Sequence, residues 1–127
     1  ILLGLVGSEM CIRDSSIRRH VPSIQKKPFP DLIIGDNDST SCDTKFTKIT
    51  ENELMKSGLQ VNYNHPFKGG YLTRSKGNPS QHIHAIQLEM CKDLYMNHNE
   101  TKYEEKKAAK IKKILKNTFQ HLIESLI

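Results

Sequence analysis

The stretch from Val61 to Met96 constrains the fold of this chain most strongly. Its second half contains an apolar run in which Ile83, Ala85 and Leu88 recur, and Glu89 closes that run. The pattern predicts a buried strand that delivers a carboxylate at its end. The strand is therefore the first candidate in this chain for an element that bears a catalytic residue.

Two cations and a pair of glycines lie in the loop that precedes this strand. Lys68 is followed directly by Gly69 and Gly70, and Arg74 comes shortly after them. Glycine adopts backbone angles that other residues avoid, and it lets a ligand approach the main chain. Lysine and arginine supply positive charge for an anionic group, and arginine binds such a group in a bidentate fashion. Followed by an acid on a strand, this loop is typical of an enzyme that handles a small acidic substrate.

The segment before this stretch predicts an α/β arrangement. Residues 30–35 form a short apolar run bounded by turn residues, which indicates a strand. A helix is expected over residues 45–57, capped by Asp43 or by the threonine that follows it, and stopped by Gly58. Residues 59–63 again have the character of a strand. The order strand, helix, strand is typical of layered α/β domains.

A long amphipathic helix is predicted from about residue 102 to residue 126. Its start has the form of a capping box, in which Thr101 is followed three residues later by Glu104. Apolar residues recur along the helix at steps of three and four, and they are Ala108, Ile111, Leu115, Phe119, Leu122 and Leu126. This stripe favours packing against a sheet over binding to a membrane surface.

The chain has 127 residues and a formal net charge of +5, and much of this charge comes from lysines in residues 102–116. A basic balance is one mark of proteins that bind nucleic acid. Here the lysines alternate with apolar residues at helical spacing, which favours a solvated helix face and predicts no nucleic-acid partner. A non-enzymatic module that binds nucleic acid through this helix is the alternative.

The first fifteen residues differ in character from the rest. Residues 1–7 are apolar but too short to span a bilayer, and they lack the basic start and the cleavage site of a signal peptide. Residues 5–15, with the sequence LVGSEMCIRDS, match the translation of a transposase adapter used in sequencing-library preparation. We therefore predict that residues 1–15 are not native and set them aside from the fold.

The central stretch resembles the N-formylglutamate amidohydrolase family, whose members are also called N-formylglutamate deformylases. The family has a segment close to N-x-x-F-K-G-G-Y-I-T-R, then a G-x-P loop, then H-A-I-Q-L-E-M-C and a Y-M pair. The matching parts of this chain are residues 64–74, 77–79, 84–91 and 95–96, with Pro30, Asp31, Gly35, Ser41 and Cys42 matching an earlier loop. The second glycine of that loop is replaced by Ser39 or Thr40, which places the geometry of the loop in question.

The resemblance implies both a fold and an activity. The fold is an α/β fragment of a mixed-sheet hydrolase similar to zinc carboxypeptidases and aspartoacylases, with a long C-terminal helix. Residues 16–127 are then the C-terminal part of a single hydrolase domain. The implied reaction is hydrolysis of N-formyl-L-glutamate to glutamate and formate, in histidine degradation. Another acyl-amino-acid amidohydrolase of the same superfamily is the nearer alternative.

The resemblance also implies roles for single residues. Glu89 is the general base that accepts a proton from water and passes it to the leaving amine; its alternative role is an ion pair with Lys92 or Arg74. Substrate contacts are expected from Asn64, Arg18, Lys68, Gly69, Gly70 and Arg74. Arg18 otherwise belongs to an exposed loop.

The implied cofactor is a divalent metal, with Zn²⁺ as the prediction. Ser15 stands where the family has a metal-binding histidine, and no metal ligand is expected within this fragment, which we expect to be inactive alone. The predicted partner is a small-molecule substrate, with no membrane partner, and the oligomeric state is left open.

Two cysteines and one histidine complete the candidate residues. Cys42 and Cys91 show neither a C-x-x-C pair nor zinc-finger spacing. Without a recognisable secretory signal, reduced thiols and a cytoplasmic location are the default expectation. A structural role for Cys42 is expected, because no base partner is evident at a recognisable spacing. For His84 we expect a hydrogen-bonded structural position or one that faces the substrate.

Overall fold

The computed structural model describes residues 2–5 and 8–126, and it contains five strands and three α-helices. The strands are β1 (Leu2–Leu5), β2 (Ser8–Ile17), β3 (Leu32–Gly35), β4 (Val61–Tyr63) and β5 (Ile83–Cys91). The helices are α1 (Thr44–Lys56), α2 (Tyr71–Lys76) and α3 (Glu105–Ser125), with short 3-10 turns at Pro79–Gln81 and Lys92–Leu94. The predicted α/β class and the long C-terminal helix are confirmed.

The five strands form one mixed sheet in the order β1-β2-β5-β3-β4. β5 lies near the middle, parallel to β2 on one side and antiparallel to β3 on the other. Glu89 of β5 is therefore opposite Ser15 of β2 and opposite Ile33 of β3. β5 continues to Cys91, so Glu89 lies inside the strand and not at its end as the sequence predicts. The parallel pairing with β2, which runs to the register pair of Ile17 with Cys91, carries the strand past the glutamate.

The two faces of β5 have different surroundings because side chains alternate along a strand. Ile86, Leu88 and Met90 belong to the main hydrophobic core, together with Phe46 of α1 and Leu122 of α3. Gln87 and Glu89 point to the opposite face and are half-buried. Helices α1 and α3 thus cover one face of the sheet, and the other face is where the polar residues of β5 are accessible.

The second face carries a smaller apolar cluster near the C-terminal end of β5. Phe29, Ile33 and Cys91 are buried in it, and Ile17 and Phe67 pack against it. This cluster closes one end of the face on which Glu89 lies.

Helix α1 follows its sequence signals. The side chain of Asp43 accepts a hydrogen bond from the Lys45 amide at 3.0 Å, which caps the helix. Gly58 follows the last turn with a φ of +84°, in the left-handed region that favours glycine. Both features were predicted. The neighbouring strands β3 and β4 begin two residues later than expected.

Helix α3 confirms the predicted apolar stripe. Ala108, Ile111 and Leu122 are buried, and Leu115 and Phe119 pack against the core. The predicted capping box is wrong: the helix begins at Glu105, and its N-cap residue Glu104 makes no side-chain capping bond. Thr101 is engaged elsewhere, because its amide donates to the side chain of Asn97 at 2.8 Å.

Residues 8–15 form most of β2, although the prediction from sequence excludes them from the fold. Met10 and Ile12 are 0% and 1% exposed and belong to the main core. Their alternation with polar residues suits a strand whatever the origin of the segment. The non-native origin of residues 1–15 and the division of the chain at residue 15 stay predictions. Residues 1, 6 and 7 lie outside the described residues.

In the part of the chain that the structure describes, no helix is both long enough and apolar enough to cross a bilayer.

Candidate active site

A cleft of about 340 Å³ lies on the face of the sheet opposite α1 and α3. This volume is at the lower end of the range for ligand pockets, roughly 300–1,000 Å³. The residues that line it are Ile17, Pro66, Phe67, Lys68, Gly69, Gly70, Gln87 and Glu89. The cleft therefore joins the predicted glycine loop to the predicted catalytic strand.

Glu89 forms part of the cleft and is paired with Ser15. The Ser15 hydroxyl donates a hydrogen bond of 2.5 Å to Glu89 Oε2, across the parallel pairing of β2 and β5. The two residues are 74 positions apart in the chain. The structure thus places Ser15, the predicted position of the family's metal-binding histidine, directly beside the predicted general base.

The glycine turn, residues 68–70, packs closely against the end of β3. A Cβ atom on Gly35 would lie 2.7 Å from the Lys68 carbonyl carbon and 2.8 Å from the Gly69 nitrogen. The Asn37 amide donates to the Lys68 carbonyl at 2.7 Å. Gly69 itself has a φ of +119°, which only glycine adopts without strain. The turn is held by backbone contacts, which require a glycine at Gly35 because of the close approach and at Gly69 because of its backbone angle.

Gln87 connects the turn to the strand that carries Glu89. Its Oε1 accepts a hydrogen bond of 2.6 Å from the Gly70 amide and one of 3.4 Å from the Thr73 hydroxyl. Gln87 is not among the site residues predicted from the sequence. The available signal was its place two residues before Glu89, which puts both side chains on one face of the strand.

Asn64 lies behind the turn and is fully engaged with Asp36. Its Nδ2 donates to Asp36 Oδ1 at 2.7 Å, and its Oδ1 accepts from the Asp36 amide at 2.9 Å. Asp36 is buried and also accepts hydrogen bonds from the Tyr63 hydroxyl and the Ser39 amide. Burial, followed by the bond to Asp36, raises the pKa of Tyr63. The structure uses Asn64 to shape the loop and does not bring it to the cleft lining.

The three predicted cations lie at different distances from the cleft. Lys68 lines it, although its Nζ is 2.7 Å from Asp38 Oδ2 at the exposed rim. Arg74 is exposed on α2 and is not among the lining residues. Arg18 is also outside: its side chain is 65% exposed, and its Nε is 3.6 Å from Glu100. Of the predicted substrate contacts, the cleft brings together Lys68 and the two glycines with Glu89.

Arg19 secures the chain segments that follow β2 and precede β3. Its guanidinium group is 2.7 Å from Asp31 and 2.6 Å from Asp93, and it donates to the Phe29 carbonyl at 2.9 Å. The hydrogen bond from Arg19 lowers the pKa of Asp93. Because Arg19 follows β2 and Asp93 follows β5, this cluster holds together the ends of the two strands that carry Ser15 and Glu89.

The buried cysteines and His84 have structural surroundings. Burial raises the pKa of Cys42 above its ordinary value and the pKa of Cys91 to about 12, so neither thiol is an activated nucleophile. His84 is buried, and its Nδ1 accepts a hydrogen bond of 3.1 Å from the Asp43 amide. Burial lowers the pKa of His84. The prediction of a hydrogen-bonded structural histidine is confirmed.

Among the described residues, no three histidine, cysteine, aspartate or glutamate side chains come together in a group able to hold a metal ion. Near the cleft, Ser15 and Glu89 supply one hydroxyl and one carboxylate. This donor set does not fit Zn²⁺, which takes at least three protein ligands of the nitrogen, sulfur or carboxylate type.

The profile of the N-formylglutamate amidohydrolase family matches residues 6–96, which is more than half of the chain. The chain belongs to this family. The match includes the cleft residues and also residues 6–15, whose origin stays a prediction.

Two curated relatives are N-formylglutamate deformylases. The protein from Pseudomonas putida is 34% identical over 110 residues, which cover 85% of this chain and 41% of the relative. The protein from Pseudomonas aeruginosa is 40% identical over 83 residues, which cover 65% of this chain and 31% of the relative. The chain thus spans less than half the length of these relatives.

The fold is also found in a crystal structure of N-formylglutamate amidohydrolase from Ralstonia eutropha JMP134. The TM-score is 0.80 at 24% sequence identity, and the match covers 91% of this chain and 43% of the other. At this level of identity the likeness shows the fold alone, and it confirms the mixed sheet with its C-terminal helix.

Proposed function

We propose that the protein to which this chain contributes hydrolyses N-formyl-L-glutamate to L-glutamate and formate. One observation carries the proposal: Glu89 lies in a cleft beside the glycine turn and within hydrogen-bonding distance of Ser15. Membership of the family and the names of the two relatives support the choice of substrate.

The proposed reaction uses Glu89 as a proton carrier. Its carboxylate accepts a proton from a water molecule as the water oxygen forms a bond with the formyl carbon. The C–N bond then breaks, and Glu89 returns the proton to the departing amine of glutamate. A half-buried carboxylate is suited to both steps, because it is accessible to water on one side and held by the strand on the other.

Lys68 and the glycine turn are proposed to bind the carboxylates of the substrate. The Lys68 ammonium group is half-exposed at the rim, and its ion pair with Asp38 is solvent-screened and weak enough to be exchanged. Arg74 and Arg18 are proposed to contact the substrate, although neither lines the cleft. Asn64 is proposed to support the turn indirectly, through its hydrogen bonds with Asp36.

The finer assignments rest on the resemblance. We propose that the complete protein has the zinc-carboxypeptidase and aspartoacylase type of architecture and holds a divalent metal, with Zn²⁺ as the prediction. The described residues do not supply the ligand set, so the steps above involve only Glu89 and water. We propose a role in histidine degradation from the same resemblance, and a cytoplasmic location from the reduced cysteines expected of the sequence.

The test begins with the source DNA, from which the codons before Ser16 are read and the complete protein is expressed. A histidine codon at the position of Ser15 is expected. The protein is then assayed with formyl, acetyl and succinyl derivatives of glutamate and aspartate, with and without metal removal. Preference for N-formyl-L-glutamate is the expected result, and preference for another acyl group would favour a different amidohydrolase.

The variant Glu89→Gln tests the role of the carboxylate. Loss of a general base costs about 10²–10⁴-fold in rate, so kcat is expected to fall by that factor. Glu53→Gln is the matched control, because Glu53 lies on α1 near His121, on the other face of the sheet. Normal activity of Glu89→Gln with its metal bound would refute the mechanism.

A further inference from the structure

The orientation of the Gln87 side-chain amide is determined by its neighbours. Its Oε1 faces two donors, the Gly70 amide at 2.6 Å and the Thr73 hydroxyl at 3.4 Å. The Gly70 amide has no acceptor capacity, so a flipped amide group would place two donors against each other. The oxygen therefore points to the turn, and the Nε2 group is the part of the side chain that is left for other partners.

The Nε2 group has no hydrogen-bond partner among the residues that the structure describes. Every buried polar side-chain atom of those residues does have a hydrogen-bond partner. The group is accordingly accessible, and Gln87 lines the cleft. It offers two N–H donors and no acceptor. An oxygen atom of a ligand is the partner that this group selects.

Gln87 and Glu89 present complementary groups at one surface. They are two residues apart on β5, so their Cα atoms are separated by roughly 7 Å along the cleft. The first presents a neutral donor and the second a carboxylate acceptor. An acylated acidic amino acid has carbonyl and carboxylate oxygens that fit the donor, and the water that attacks it fits the acceptor.

We infer that Gln87 is a specificity-determining residue that donates from Nε2 to an oxygen of the bound acyl-amino acid, while its Oε1 holds the glycine turn in place. This inference rests on the proposed function. It assigns the recognition of a substrate oxygen to a neutral side chain in addition to the cations of the loop.

The test separates the two ends of the amide. Gln87→Glu keeps an acceptor for the Gly70 amide and the Thr73 hydroxyl but replaces the donor by a second acceptor. In the complete protein, KM for N-formyl-L-glutamate is expected to rise about 10- to 100-fold, the loss in binding when a hydrogen bond to a charged group is removed. The value of kcat is expected to change less than KM. Thr73→Val is the control, because it removes only the long 3.4 Å bond, and KM should stay within about threefold.

A second measurement uses the unmodified 127-residue chain labelled with ¹⁵N. Addition of N-formyl-L-glutamate is expected to shift the side-chain amide signals of Gln87, and those signals should stay in place when glycine is added instead. This experiment decides the matter if Gln87→Glu does not fold.

Each outcome has one meaning. A folded Gln87→Glu protein whose KM lies within threefold of the unmodified value overturns the inference. Side-chain amide signals of Gln87 that stay in place, while the amide signals of Gly69 and Gly70 shift on addition of the ligand, overturn it as well. If the unmodified complete protein does not hydrolyse N-formyl-L-glutamate, the proposed function itself is wrong, and the inference falls with it. The unmodified assay therefore distinguishes the two failures.

Discussion

The close approach of β3 to the glycine turn predicts a large effect for Gly35→Ala. The new methyl carbon would lie 2.7–2.8 Å from three backbone atoms, namely the Lys68 carbonyl carbon and oxygen and the Gly69 nitrogen. Backbone atoms cannot rotate away as a flexible side chain can. The turn must therefore move away from β3, and it takes the wall of the cleft with it.

The magnitude follows from two contributions. Overpacking a well-packed site costs about 1–3 kcal/mol. Movement of the turn also breaks the 2.7 Å hydrogen bond from the Asn37 amide to the Lys68 carbonyl, a loss of about 0.5–1.5 kcal/mol. Together these reduce the free energy of unfolding by about 2–4 kcal/mol. This is a considerable part of the roughly 5–15 kcal/mol that stabilises an ordinary domain.

Urea unfolding of the chain, followed by circular dichroism, measures this loss. With a slope of about 1–3 kcal/mol per molar urea, the midpoint is expected to fall by about 0.7–4 M. Gly70→Ala is the matched control, because a Cβ at Gly70 meets only the Gln87 side-chain oxygen, at an ordinary 3.4 Å. Its effect should stay within about 0.5 kcal/mol. If Gly35→Ala is as stable as this control, the close packing of the turn on β3 is not present in solution.

Three further predictions concern other parts of the fold. Ser39, which with Thr40 is one of the two candidates for the family's second glycine, has a φ of +68°, so Ser39→Gly should raise the free energy of unfolding by about 0.5–1 kcal/mol, whereas Thr40→Gly should not. Because Arg19 lowers the pKa of Asp93, their bond stabilises the fold above the unfolded pKa of about 3.9 and is lost as the pH falls through the lower folded value. Arg19→Met should accordingly cost about 3 kcal/mol at pH 7 and less at pH 2 in chemical unfolding, and an equal cost at both pH values would contradict this. Cys91, with its pKa raised to about 12, should react with a maleimide at pH 7 only after unfolding, and rapid labelling located at Cys91, apart from the partly exposed Cys11, would show that it is not buried.

Local signals were sufficient where structure depends on near neighbours. The cap at Asp43 and the stop at Gly58 were predicted because a capping bond and a left-handed residue involve only a few positions in the chain. The apolar stripe of α3 was predicted because its period reports directly which face is buried. The predicted capping box at Thr101 does not form, because Thr101 is hydrogen-bonded to the side chain of Asn97 instead.

The candidate site could be predicted only in part. The motif that contains Lys68, the two glycines and Glu89 was recognised from sequence, and the cleft brings these residues together. The engagement of Asn64 by Asp36 could not be foreseen, because the two residues are 28 positions apart and meet only through the packing of β3 beside β4. Gln87 was overlooked because its partners, Gly70 and Thr73, come from a loop that folds back over the strand.

By itself the sequence determined the α/β class, the amphipathic helices, the strand that carries Glu89 and the glycine-bearing motif of the family, because all of these are written in local periodicity and in short runs of residues. The tertiary structure alone decided that β2 pairs in parallel with β5, and so placed Ser15 beside Glu89 across 74 residues of chain. It also decided which polar residues face the cleft and which are hydrogen-bonded to neighbouring segments away from it. The physical reason is that strand register and loop closure depend on contacts between distant segments, which no local pattern encodes.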